Sequence, residues 1–324
     1  MRHPGDVSVS DLIPLLLFAV NVTAPILLVL GTGVALRRVN RIDEAFLGRA
    51  TWIVFNVAMP SMLFVKMVSS PAGSGSSVRM LLVGVIGTAL VCALMIAIVR
   101  VLVADVGERG VVVQGAYRAN MGVVGLAYCF NAFGDAGIAA VVLYLGVVTI
   151  LYNVIAVVLL NHYLHGRSDW RSALVGVLRN PLILGILAGG VVRALDIPVP
   201  TTVLRTLDYL GQMVLPLALL CTGAALNFGA LHAAPRNAVL GSLGKAILSP
   251  IIVVGLALIA GLDGMELVLV FLMVSAPTAS ASYVMVRAFG GNDGLASNII
   301  VVSTLASIVF TSLGLMAFRL AGLV

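Results

Sequence analysis

Acidic side chains are scarce in this chain, and none stands in the middle of an apolar stretch. Only 13 of the 324 residues are Asp or Glu, and charged residues of both signs make up 10%. Every carboxylate lies at or close to the end of an apolar run, with Asp208, ahead of Pro216, the most embedded. A proton relay built on a carboxylate at the bilayer midplane therefore has no strong site. Cysteine is nearly missing too. Cys92, Cys129 and Cys221 sit in apolar runs, form no CxxC pair, and read as packing residues rather than a disulfide or metal site. His162 and His165 are spaced to share a helical face but lack the further ligands a metal needs. There is no Walker loop and no HExxH, and "GTGVAL" at Gly31 lacks the third glycine and preceding strand of a nucleotide fold. An enzyme, a cofactor and a metal site are not expected, and ATP coupling has no motif here.

What is abundant is apolar sequence. Hydrophobic residues make up 61% of the chain, and the mean hydropathy is +1.15. No soluble domain of this size could keep that much apolar surface from water. The solvent is a bilayer, whose hydrocarbon takes about 20 apolar residues to cross. Ten segments qualify, with cores near 12–35, 46–68, 80–103, 111–133, 137–161, 181–196, 203–226, 238–261, 265–287 and 295–318. The first is too long for a signal-peptide core and precedes no small-residue cleavage site, so it is expected to be a retained span. The net charge of +6 reflects topology rather than nucleic-acid binding. With Arg118 and Lys245 set aside, eleven Lys and Arg fall on one side of the membrane and six on the other. The positive-inside bias then puts both termini outside the cytoplasm.

The chain also repeats itself. At an offset of 156 positions Pro25 falls on Pro181, Gly33 on Gly189, Arg37 on Arg193, Pro60 on Pro216, and Ala132-Phe133-Gly134 on Ala288-Phe289-Gly290. Spans 1–5 and 6–10 are thus expected to be duplicates. An odd number of spans in each half inverts the second, as in secondary transporters that bind substrate where the halves meet. The domain reading is a first repeat over 1–161, a cytoplasmic linker over 162–179 and an inverted repeat over 180–324. The linker contains "HGRSDWRSALVGVLRN", expected to lie at the membrane interface.

Two polar islands interrupt the oil at corresponding places. "RANMGVVGLAYCFNAFG" (118–134) lies in span 4 and "SAPTASASYVMVRAFGG" (275–291) in span 9. Both are poor in Leu, and each carries a backbone breaker, glycines in one and Pro277 in the other. An interrupted membrane helix must have its freed backbone groups satisfied by protein or cavity water. It also presents half-helix ends with partial charge. Asn120, Gly122, Gly125, Tyr128, Pro277, Thr278, Ser280 and Ser282 are the candidate substrate-binding residues. Close packing is the alternative for any single glycine or serine. Arg118 and Lys245 are the two cations inside spans; facing a cavity they would attract an anion, and otherwise they snorkel to the interface.

These motifs, with "FNVAMPSMLF" (55–64), "NPLILGILAG" (180–189), "LGQMVLPLALLCTGAAL" (210–226) and "GKAILSPII" (244–252), resemble the auxin efflux carrier family. That family includes bacterial malonate transporters, and the resemblance covers essentially the whole chain. It implies an all-α polytopic membrane protein of ten transmembrane helices in two inverted five-helix repeats, with helices 4 and 9 broken and crossing. It also implies a scaffold of helices 1, 2, 6 and 7, a transport unit of helices 3–5 and 8–10, and a homodimer working by an elevator-like motion. The family's substrate-site asparagine matches Asn120 and its span-9 proline matches Pro277. One departure is Gly125-Leu126-Ala127, where the family usually has GxP, so the break there falls to glycines. The expected function is a permease of a small organic anion such as a carboxylate in a bacterial inner membrane, exporting it, with H+ or Na+ as any coupling ion. A sodium-coupled organic-anion symporter and a membrane sensor that binds without transporting are the alternatives.

Overall fold

A helix satisfies its backbone groups within its own segment, and only that or a closed barrel is tolerated in hydrocarbon. The computed structural model of the protein describes residues 9–69, 76–166, 179–226 and 236–322, and every long element among them is a helix. Most of the expected interfacial segment of 165–180, and most of the connector after Ser69, lies outside the described residues.

The first half runs through α1 (Val9–Arg38), α2 (Glu44–Ile53) and α3 (Met59–Ser69), the last two fused by a π-helical turn, Val54–Ala58. It continues with α4 (Val78–Leu102), α5 (Val106–Tyr117) and α6 (Leu126–His165). The second half holds α7 (Pro181–Ala194), α8 (Thr201–Gln212) and α9 (Val214–Ala224). There follow α10 (Arg236–Leu243) and α11 (Ser249–Ile259), fused by a second π turn, Gly244–Leu248. The chain closes with α12 (Gly264–Ser275), α13 (Ala281–Ala288) and α14 (Asp293–Leu320). Side-chain caps mark several starts. Asp43, Ser77, Asp105, Asn180 and Asn292 each accept from a backbone N–H in the first turn they precede.

Seven helical runs among the described residues are long and apolar enough to cross a membrane, and Pro181–Ala194 and Gly264–Ser275 are shorter apolar helices. The outer faces carry bare aliphatic side chains such as Leu28, Ile251 and Ile259. The protein is therefore a multi-pass, all-helical membrane protein. The run Met121–His165 would be about 65 Å long if straight, twice the hydrocarbon thickness. It turns at Gly134, whose φ of 61° and ψ of −146° leave the helical region. The chain then folds back on itself, because a Cβ at Gly137 would lie 2.4 Å from the Cys129 carbonyl oxygen.

Two close helix contacts cross between the halves. A Cβ at Gly33 of α1 would lie 2.1 Å from the Leu220 carbonyl oxygen of α9, and one at Gly189 of α7 would lie 3.0 Å from the Phe64 carbonyl oxygen of α3. Glycine is what lets these backbones touch.

Candidate functional site

Both polar islands interrupt their helices, and the interruptions meet. α5 ends at Tyr117; Arg118, Ala119 and Asn120 are non-helical, and a π turn, Met121–Gly125, restarts the helix. α12 ends at Ser275, because Pro277 has no N–H to donate and pushes Ala276 into an extended conformation (φ −55°, ψ 142°). Ala119 and Thr278 then pair as an isolated antiparallel bridge. The Asn120 N–H donates to the Pro277 carbonyl at 2.7 Å, and the Ala279 N–H to the Arg118 carbonyl at 2.9 Å. Two N–H and two carbonyl groups freed by the breaks thus satisfy one another. The break in the first island falls at 118–120, ahead of the expected Gly125-Leu126-Ala127, where the chain is already helical again. The physical reason is that backbone partners are available at 118–120, opposite Pro277 and Ala279.

A cavity of about 130 Å³ opens at this crossing. Arg118, Asn120, Gly122 and Ser280 of the expected residues line it, with Tyr152, Thr149, Cys221 and Thr222 among the unforeseen ones. Its walls are otherwise largely apolar, including Val54, Phe55, Leu145 and Leu182. The restarting helix N-termini supply its polarity. The N–H groups of Met121, Gly122 and Val123, and those of Ser280 and Ala281, have no backbone acceptor among the described residues. All five residues line the cavity. Such ends carry partial positive charge and bind anions. The Asn120 side chain, 7% exposed, makes no hydrogen bond among the described residues and is free to hold a ligand.

Arg118 is 6% exposed and lacks an acidic partner among the described residues, whose ion pairs are Arg37–Glu44 and Lys66–Asp135. Its Nη1 donates to the Tyr152 carbonyl at 3.2 Å and its Nη2 to Asn153 Oδ1 at 2.7 Å. Both acceptors are neutral, so the positive charge stands uncompensated at the cavity.

The other expected residues lie outside the lining. Thr278 is used in building the crossing: its N–H donates to Ser303 Oγ at 3.1 Å and its hydroxyl to the Gly115 carbonyl at 2.6 Å. Pro277 contributes its carbonyl to the same junction. Gly125 is a packing position, where a Cβ would meet the Met273 sulfur at 3.1 Å. Tyr128 and Ser282 are buried. Lys245 is fully buried in the π turn of α10–α11, and its Nζ has no hydrogen-bond partner among the described residues. It does not snorkel. The unforeseen lining residues carry no polar island of their own; Thr149, Tyr152 and Cys221 lie within runs that are apolar apart from one or two neighbours.

Comparison with known proteins agrees with this architecture. The family described as "Membrane transport protein" matches residues 167–315. A protein of Rhizobium meliloti (strain 1021) named "Putative malonate transporter" is 28% identical over 283 residues, covering 84% of this chain and 87% of its own length. An "Uncharacterized transporter" of Methanothermobacter thermautotrophicus is 26% identical over 259 residues, covering 79% of this chain and 84% of its own. These relatives are named as transporters rather than enzymes, and their similarity runs through both halves of a chain whose two broken helices enclose a cavity. The second half of the chain is thus similar to the membrane transport protein family, and most of its length is similar to proteins named as transporters.

Proposed function

We propose that the protein is a secondary transporter of a small organic anion, a carboxylate of few carbons, held at the crossing of the two broken helices. The observation that carries this reading is the convergence of two restarting helix N-termini, the unbonded Asn120 amide and an arginine without an acidic partner on one cavity. In a low-dielectric site such fixed dipoles and charge favour an anion strongly and a cation not at all. Asn120 and the Met121–Val123 amides hold the carboxylate, and Arg118 meets its charge. The malonate named for the Rhizobium relative is an anion of suitable size.

The transport cycle follows from two inverted five-helix halves moving as scaffold and transport units. Support for the duplication comes from paired contacts. Gly33 and Gly189 stand 156 positions apart, and so do the residues their backbones touch, Phe64 and Leu220. Each half therefore offers the same glycine to the same position of the other, as a two-fold relation between the halves requires. With both termini outside, export of a monoanion from a negative interior gains about 2.3 kcal/mol per 100 mV, so efflux runs without a coupled ion.

The test is transport of radiolabelled small carboxylates, malonate included, by purified protein in vesicles. Asn120→Ala removes one hydrogen bond to a charged ligand and raises KM by about ten- to a hundredfold, with the melting temperature near wild type. Arg118→Gln lowers uptake at least as much. Unchanged flux in both variants removes the crossing from the substrate path.

A further inference from the structure

Asn153, on α6, is the least obvious member of the polar network at the crossing. It lies outside the cavity lining, yet its Oδ1 takes the shorter of the two hydrogen bonds made by Arg118, 2.7 Å against 3.2 Å. The second acceptor, the Tyr152 carbonyl, also takes the Tyr117 hydroxyl at 3.2 Å and is thereby held in place. A guanidinium has five N–H donors in a rigid plane. Two of them anchor it to α6, and the plane is then fixed relative to the cavity it lines.

We propose that Asn153 is the positioning residue of the anion site, gripping the Arg118 guanidinium through a neutral acceptor so that its charge stays available to substrate. The inference rests on the reading of Arg118 as the cation that meets the anion. A carboxylate at position 153 would be the stronger partner, since it would add Coulombic attraction and bidentate geometry to a bond now charged on the donor side alone. It would also relieve the burial of an unpaired charge, which is costly in a membrane interior. Stability alone is therefore better served by Asp. An amide of nearly the same shape orients the arginine equally well and leaves its field intact. That combination serves anion recognition and nothing else.

Cys221 offers a probe that needs no knowledge of the substrate, because its thiol lines the same cavity. Iodoacetate and iodoacetamide are alike in size and differ by one negative charge. In both cases the thiolate displaces iodide and a C–S bond forms. Dividing the iodoacetate rate by the iodoacetamide rate cancels thiol ionisation and access, and the same ratio for N-acetylcysteine sets the reference. All three cysteines are buried, but Cys221 alone lines the cavity, and Cys221→Ser supplies the background; Ala225→Cys, also in the lining, serves where Cys221 reacts too slowly. The full-length protein is expected to favour the anionic reagent over the reference by on the order of tenfold.

Asn153→Asp is expected to bring the ratio to the reference or below while the melting temperature holds or rises. A wild-type ratio overturns the inference; because the added carboxylate lowers the ratio by its own charge, a fall supports it only where Asn153→Ala also loses the preference. Where Asn153→Asp does not fold, Asn153→Ala decides: it is expected to lose more than half of the preference by freeing the guanidinium, and a wild-type ratio again overturns the inference. Arg118→Gln separates the two readings. If it keeps the wild-type ratio, the role of Arg118 itself fails. If it abolishes the ratio while Asn153→Asp retains it, only the role of Asn153 fails.

Discussion

At the residue scale the site is an exercise in leaving polar groups unmatched. Among the described residues Arg118 has no acidic partner and the Asn120 amide no hydrogen bond, and both border, with five helix-start N–H groups, one cavity of about 130 Å³. Each alone would be destabilising in a membrane; together they would suit the anion proposed above. Asn120, Gly122, Ser280 and Arg118 were legible in the sequence because polar residues inside apolar runs are conspicuous. Thr149, Tyr152, Asn153 and Cys221 were not, because they lie in otherwise apolar helices without a backbone breaker and gain meaning only from what the fold sets opposite them. Cys221 turns that blindness into a prediction. Alkylation by iodoacetamide places an amide in the cavity and should abolish transport, a transported carboxylate should slow the loss, and Cys221→Ser should transport normally and resist. Loss of transport in alkylated Cys221→Ser protein would assign the effect to another thiol.

The elements were more legible than the residues. Every long apolar stretch falls on helix, since a twenty-residue apolar run in lipid has no other way to satisfy its backbone. What pattern reading could not place was the break at 118–120, whose position depends on hydrogen bonds to a segment more than 150 residues away. The turn at Gly134 is the opposite case, a local event with a local cause. Its φ of 61° and ψ of −146° belong to a region that only glycine occupies readily, and a Cβ there would touch nothing within 4 Å. Gly134→Ala is therefore a pure backbone test, expected to cost about 1–3 kcal/mol with no steric clash to blame. Thermal unfolding of the purified variant measures it, and an unchanged melting temperature would mean the turn relaxes without strain. A second element-level joint lies at Glu108 of α5. Its carboxylate accepts from Asn237 at 2.6 Å and Asn292 at 2.7 Å, tying the starts of α10 and α14 together. Glu108→Ala leaves both amides without that acceptor, and should cost about 1–3 kcal/mol because the acceptor is charged.

At the scale of the whole molecule, the cavity sits toward one end of the bundle. It is lined by Thr51 near the start of the α2–α3 rod, Leu182 at the start of α7 and Ala225 just past α9. At the opposite end polar contacts join the helices expected to form the scaffold to those expected to move. Lys66 of α3 pairs with Asp135 at 2.5 Å, and Asn131 Nδ2 donates to the Val22 carbonyl of α1 at 2.8 Å. An elevator motion that closed the cavity at its present end would have to break both. Their weights differ. Asp135 is 75% exposed, so water screens the ion pair and its worth is at most about 1 kcal/mol. A shift of that size changes the ratio of two conformers by no more than about fivefold. The Asn131 bond is better shielded, and losing it leaves a carbonyl to be rehydrated. Asp135→Asn should therefore slow iodoacetamide modification of Cys221 slightly, Asn131→Leu more, and the two together by the product of their effects. Rates that stay at the wild-type value in the double variant would show that these contacts decorate a rigid end of the molecule rather than hold one state of a moving one.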